Sequence, residues 1–67
     1  MEAYQQRVVD ERRELDEKIE RLAGFIASTA FDFVDHEQRQ LLLRQIEAMG
    51  VYSEILRKRI ALFEGAS

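Results

Sequence analysis

Cationic and aromatic side chains gather near the two ends of this sequence. Tyr4 and Arg7 stand close to the start, and Arg57, Lys58, Arg59 and Phe63 close to the end. Guanidinium forks bind phosphate oxygens in pairs, and flat rings stack on nucleobases. If the chain folds so that its ends meet, these residues, with Gln5 and Gln6, make a basic, aromatic patch suited to a small phosphorylated nucleotide. A plainer reading is equally physical. A basic triplet near a helix C-terminus complements the helix dipole, and here it can pair with Glu54 and Glu2. Three consecutive charges fall far short of the basic stripe that a nucleic acid requires, so nucleic acid is not an expected partner.

Other chemistries find less support. The carboxylates of Asp10, Glu11, Glu14, Asp16, Glu17 and Glu20 interleave with Arg7, Arg12, Arg13, Lys18 and Arg21. Acid–base catalysis needs carboxyl groups in a shielded pocket with separated pKa values, whereas this pattern predicts a wet helix face. His36 is the single histidine and there is no cysteine, so neither a disulfide nor a metal centre is expected. No nucleophile motif, Ser-His-acid grouping or glycine-rich phosphate loop is present. The expectation is a protein that is not an enzyme and uses no cofactor.

The elements that must position these residues are helices. With 46% apolar and 34% charged residues and no proline, the composition is that of a folded helical chain rather than a disordered one. Glu2 to about Ala27 predicts a first helix. Val8, Leu15 and Leu22 recur every seven residues, with Ile19 and Ile26 beside them, which makes one narrow apolar seam. Arg12 interrupts that seam; either it anchors an interface, or it lays its stem on the seam with its head in water. Outside the seam, Glu14 with Lys18 and Glu17 with Arg21 have favourable four-residue spacing.

Residues 28–35 form the connection. Ser28 and Asp35 are N-cap types, Gln38 completes a capping-box pattern with Asp35, and Phe31, Phe33 and Val34 are too apolar for a free loop. A short helical turn is expected there, its rings plugging the closed end. The second helix runs from His36 to about Glu64. Leu42, Ile46, Met49, Ser53, Leu56, Ile60 and Phe63 alternate at steps of four and three, a full heptad seam in which Ser53 is expected to bond its own helix. A second line, Leu41, Ala48, Ile55 and Leu62, runs beside it with Tyr52 on the other flank. Gly50 interrupts the helix pattern; either it leaves room for a neighbouring backbone or it is simply tolerated. Gly65 is a C-cap candidate, with Ala66 and Ser67 fraying beyond it.

The expected fold class is all-α: one domain over residues 1–67, an antiparallel two-helix hairpin with a short helical turn in its connection. A chain this short, without disulfides or metal, usually needs partners to complete a core. The second line of apolar residues is more than one narrow seam can cover, so it predicts a homo-oligomer built on Leu41, Ala48, Tyr52, Ile55 and Leu62. A closed hairpin and one swapped between chains both fit these seams. No apolar run approaches the ~18 residues of a membrane span, and the first seven residues lack the apolar core of a signal peptide, so a cytoplasmic protein is expected.

Several segments together resemble a known family. They are Tyr4-Gln5-Gln6-Arg7-Val8, Glu14-Leu15-Asp16-Glu17-Lys18, Phe25-Ile26, Phe31, Gln38, Leu41-Leu42, and Met49-x-x-Tyr52-Ser53-x-Ile55-Leu56-x-x-Arg59-Ile60-x-x-Phe63. They are similar to short phage and prophage proteins related to a gene product of a crAss-like phage. The resemblance runs from Tyr4 to Phe63 and implies a setting rather than an activity: a small viral protein in the bacterial cytosol. The expected function is a phage accessory protein acting by binding, which captures a host defence protein or its cyclic nucleotide signal. The alternative is a structural coiled-coil protein of the phage.

Overall fold

The computed structural model describes residues 1–65. It is a rod of two helices, 50 × 15 × 15 Å. Helix α1 spans Ala3–Ile26, a 3-10 turn spans Thr29–Phe33, and α2 spans His36–Gly65. Tyr4 meets Phe63, Glu11 meets Tyr52 and Arg12 meets Ser53. Positions rising along one helix meet positions falling along the other, so the hairpin is antiparallel. The helix ends differ from the sequence expectation by about a residue. Gly65 is the last residue of α2, and the expected fraying of Ala66 and Ser67 lies outside the described residues.

The start of α1 is held by the Gln5 side chain, which accepts the Glu2 backbone N–H at 2.9 Å. At the start of α2, Asp35 accepts the Glu37 N–H through its carboxylate and the Arg39 N–H through its carbonyl. The two side-chain bonds satisfy donors that a helix start leaves without intrahelical partners, and the Arg39 bond is the first of the helix itself. Between the helices, Phe25 and Phe31 pack edge to face with centroids 6.0 Å apart. The expected plug of rings is therefore only partly formed. Phe33 sits 90% exposed on the opposite side of its short turn.

The two heptad seams face each other as their spacing requires. Among the described residues only Val8 and Leu56 are buried apolar residues, and Leu56 alone is fully enclosed; Leu15, Ile19, Leu22, Leu42, Ile46, Met49 and Ile60 are half-buried. Two helices touch along one line, so most seam residues keep one side open.

Where Arg12 interrupts the apolar seam, the helices meet through a polar layer. The Arg12 Nε donates to the Ser53 Oγ at 3.4 Å, and the Ser53 hydroxyl donates to the Asp16 carboxylate. Arg12 also lies 3.6 Å from Asp16. Beside this layer the Tyr52 hydroxyl donates to Glu11. Two expectations are corrected here. Arg12 is an anchor between helices rather than a free-headed side chain. Ser53 bonds across the hairpin rather than to its own helix, because a carboxylate and a guanidinium stand opposite it. Glu11 and Asp16 are exposed, as expected of the α1 carboxylates, and both also reach back to α2. The ion pairs of α1 are Arg12–Asp16 and Arg13–Asp10, rather than the expected Glu14–Lys18 and Glu17–Arg21.

Gly50 does not bend α2, and a Cβ built there meets nothing within 4 Å. The glycine therefore answers no close approach within the chain. Gly50→Ala should raise stability by about 1 kcal/mol through helix propensity, seen as a higher midpoint in thermal melts followed by circular dichroism. A lower midpoint would reveal a neighbour that the single chain does not contain.

Candidate functional site

The hairpin brings the two ends of the sequence together at its open end. The rings of Tyr4 and Phe63 meet edge to face, 5.8 Å apart at 82°. This is the aromatic half of the patch anticipated from sequence, and it is half open to solvent.

The basic half is divided. Consecutive helical residues fan out by roughly 100° each, so Arg57, Lys58 and Arg59 cannot share a face. Arg57 stands one turn beyond Ser53, on the flank of the polar layer, with its fork closed on Glu54. Its Nε lies 3.0 and 2.9 Å from the two carboxylate oxygens, and its Nη2 lies 2.6 Å from one of them. That hydrogen bonding holds the Glu54 carboxyl below its ordinary range and raises the Arg57 guanidinium. The plainer reading of the triplet thus holds for Arg57. Lys58 projects outward, away from both flanks.

Arg59 differs. It stands 18 residues, five full turns, beyond Leu41, and one turn before Phe63. Arg7 stands one turn before Glu11, the residue bonded to Tyr52. Tyr4, Arg7, Arg59 and Phe63 therefore share one flank of the open end, while Arg57 and Lys58 do not join them. No ion pair engages Arg7 or Arg59 among the described residues.

That same flank carries the second apolar line. Leu41 is 54% exposed, Ile55 50% and Leu62 71%, and Ala48 and part of the Tyr52 ring are also open. Val51 is exposed there too; a strict seven-residue spacing passes over it, because it sits between Ala48 and Ile55. α1 is too narrow to cover this line, for its own outer face is charged.

The opposite flank holds a shallow groove of about 440 Å³ lined by Val9, Arg12, Arg13, Asp16, Glu17, Glu20 and Ile60. Heptad spacing in α2 does not disclose it, because it forms where the polar layer parts the helices. Its walls mix both signs of charge, and Arg13 is tied to Asp10 at 3.3 Å. His36 is exposed at the start of α2, and among the described residues no group of histidine and acidic side chains could hold a metal ion. Among those residues no helix is long and apolar enough to cross a membrane.

A bare helical hairpin with an open apolar flank, and with Arg7 and Arg59 beside a ring pair at one end, defines a class of small α-helical proteins. Within that class the chain belongs to the Sequestin family, which it matches over residues 2–62. It is also 44% identical over 64 residues to the uncharacterized 7.5 kDa protein of the denB–rIIB intergenic region of Enterobacteria phage T4, covering 96% of this chain and 100% of that protein. No solved structure matches. The expected resemblance to short phage proteins holds at this level.

Proposed function

We propose that this is a non-enzymatic phage protein that sequesters a partner, and that its partner is a small phosphorylated nucleotide serving as a host defence signal. The observation that carries this reading is the flank on which Tyr4, Arg7, Arg59 and Phe63 converge beside an open apolar line. Two guanidinium groups bind phosphate, and the ring pair offers a surface on which a base can stack. The family name, with its sense of holding something away, agrees with such a role, as does kinship with a phage protein. Capture needs no chemistry, only affinity, and takes place in the host cytosol. Self-association through Leu41, Ala48, Tyr52, Ile55 and Leu62 belongs to the same reading.

Thermal shift against cyclic di- and trinucleotides tests it. A ligand at about 100 times its dissociation constant stabilises by roughly 2.7 kcal/mol, and each kcal/mol moves the midpoint of a domain this small by about 4–8 °C. A shift of more than about 10 °C is expected, lost in Arg7→Ala and Arg59→Ala and kept in Arg57→Ala. No shift with any nucleotide would overturn nucleotide capture. Recovery of a host protein from infected cells through the exposed Phe33 would then favour capture of a defence protein, and recovery of phage structural components alone would favour an assembly role.

A further inference from the structure

The open flank is of a size that a partner would cover. A compact protein of 7.9 kDa exposes about 4,400 Å², whereas this chain exposes 5149 Å². The excess of roughly 700 Å² is close to the ~800 Å² that each partner contributes to a standard interface. With two buried apolar side chains among the described residues, one hairpin lacks the core that a second copy would complete.

The apolar line also sets how that copy lies. Leu41, Ala48, Ile55 and Leu62 are symmetric about a point between Val51 and Tyr52. An antiparallel pairing of α2 about a two-fold axis at that point sets Leu41 against the partner's Leu62. It also sets small Ala48 against the partner's larger Ile55, so that the layers interdigitate. A parallel pairing would oppose Ala48 to its own copy and leave a gap.

The antiparallel arrangement has an electrostatic consequence. Arg44 and Arg59 stand equally far from the axis on opposite sides, so Arg59 comes level with Arg44 of the partner subunit. Within one hairpin, Arg7 lies between the Tyr4–Phe63 and Glu11–Tyr52 contacts, which sets it at the level of Arg59. No ion pair holds Arg7, Arg44 or Arg59 among the described residues, and Glu11 is taken by Tyr52. Three like charges in one layer repel unless an anion sits among them.

We infer that two copies pair through this flank with α2 antiparallel, and that each end of the pair binds a phosphate-bearing anion between Arg7, Arg59 and the partner's Arg44. The inference rests on the nucleotide-capture reading for the identity of the anion and adds that the site is incomplete in one chain. Binding of the anion and pairing of the chains are therefore linked, each strengthening the other.

Sedimentation equilibrium with inorganic pyrophosphate tests the linkage, against sodium chloride at equal ionic strength. Saturating pyrophosphate should tighten the dimer at least tenfold. Arg44→Gln, at an exposed position, should tighten the dimer without pyrophosphate and abolish the response to it. Since the chain has no cysteine, register is tested by crosslinking: Leu41→Cys mixed with Leu62→Cys should crosslink, and each alone should not. A chain that stays monomeric throughout, an Arg44→Gln protein that responds like the parent, or Leu41→Cys crosslinking to itself would each overturn the proposal. Nucleotide shifts that survive Arg44→Gln but vanish in Arg59→Ala would overturn the shared site and leave nucleotide capture standing. Pyrophosphate-linked pairing without any nucleotide shift would do the reverse.

Discussion

Leu56→Ala should leave a dilute sample of this protein with no cooperative thermal transition above room temperature. Among the described residues Leu56 is the one fully enclosed side chain, and the Tyr4–Phe63 and Arg12–Ser53 contacts on either side set it near the level of Val8. Replacing a buried leucine by alanine costs about 2–5 kcal/mol, through lost transfer energy and the cavity left behind. A single core in a chain this short supplies only about 3–5 kcal/mol in total, so one substitution consumes most of it. Leu62→Ala is the matched control. At 71% exposure it should change the stability of the separate hairpin by less than about 0.5 kcal/mol. It should matter only as concentration rises and chains meet. Circular dichroism melts at two concentrations check both; a Leu56→Ala protein that melts like its parent would show that the core lies elsewhere.

The second large effect concerns the polar layer. Arg12→Ala should destabilise the hairpin by about 1–3 kcal/mol, since it strips the Ser53 hydroxyl and the Asp16 carboxylate of their common cationic partner. Replacing the layer with apolar groups, as in Arg12→Leu with Ser53→Ala, should recover that loss or exceed it, because a well-packed apolar layer matches or outdoes a partly buried ionic one. The gain in stability should come with a loss of order. Without Arg12 to mark one register, the two seams can slide by a heptad or open and exchange between chains. Urea titration measures the first effect, and broadened amide resonances or mixed oligomers report the second. If the double variant is as uniform as the parent, the layer does not set register.

Both helices were legible from periodicity, and their antiparallel pairing from the short connection between them, although the seams also fitted a hairpin swapped between chains. Val8, Leu15, Ile19 and Leu22 on one side, and Leu42, Met49, Leu56 and Ile60 on the other, leave few ways to pair. The connection was legible as a turn from Ser28, Asp35 and the phenylalanines, but not the outward position of Phe33, because hydrophobicity does not tell which side of a one-turn helix a ring will take. The roles of Arg12 and Ser53 were hidden for another reason. Each is ambiguous by itself, and only the register that places Asp16 beside both makes them a unit. For the open end, sequence proximity misled. Arg57, Lys58 and Arg59 read as one charge, yet a helix disperses neighbours and gathers residues three, four or eighteen apart. Arg59 therefore belongs with Leu41 and Phe63, and Arg57 belongs with Glu54.

A protein that works by occupying its target must be made in numbers matching that target, so crowding is a condition of its action. The outward side of α1, where Arg13 and Arg21 flank Glu14 and Glu17, bears on that condition. With a net charge of −3, it gives every particle a hydrated coat of weak mutual repulsion. If the apolar flanks pair as inferred, that coat is most of what one pair shows another, and it favours a dense stock over clumping.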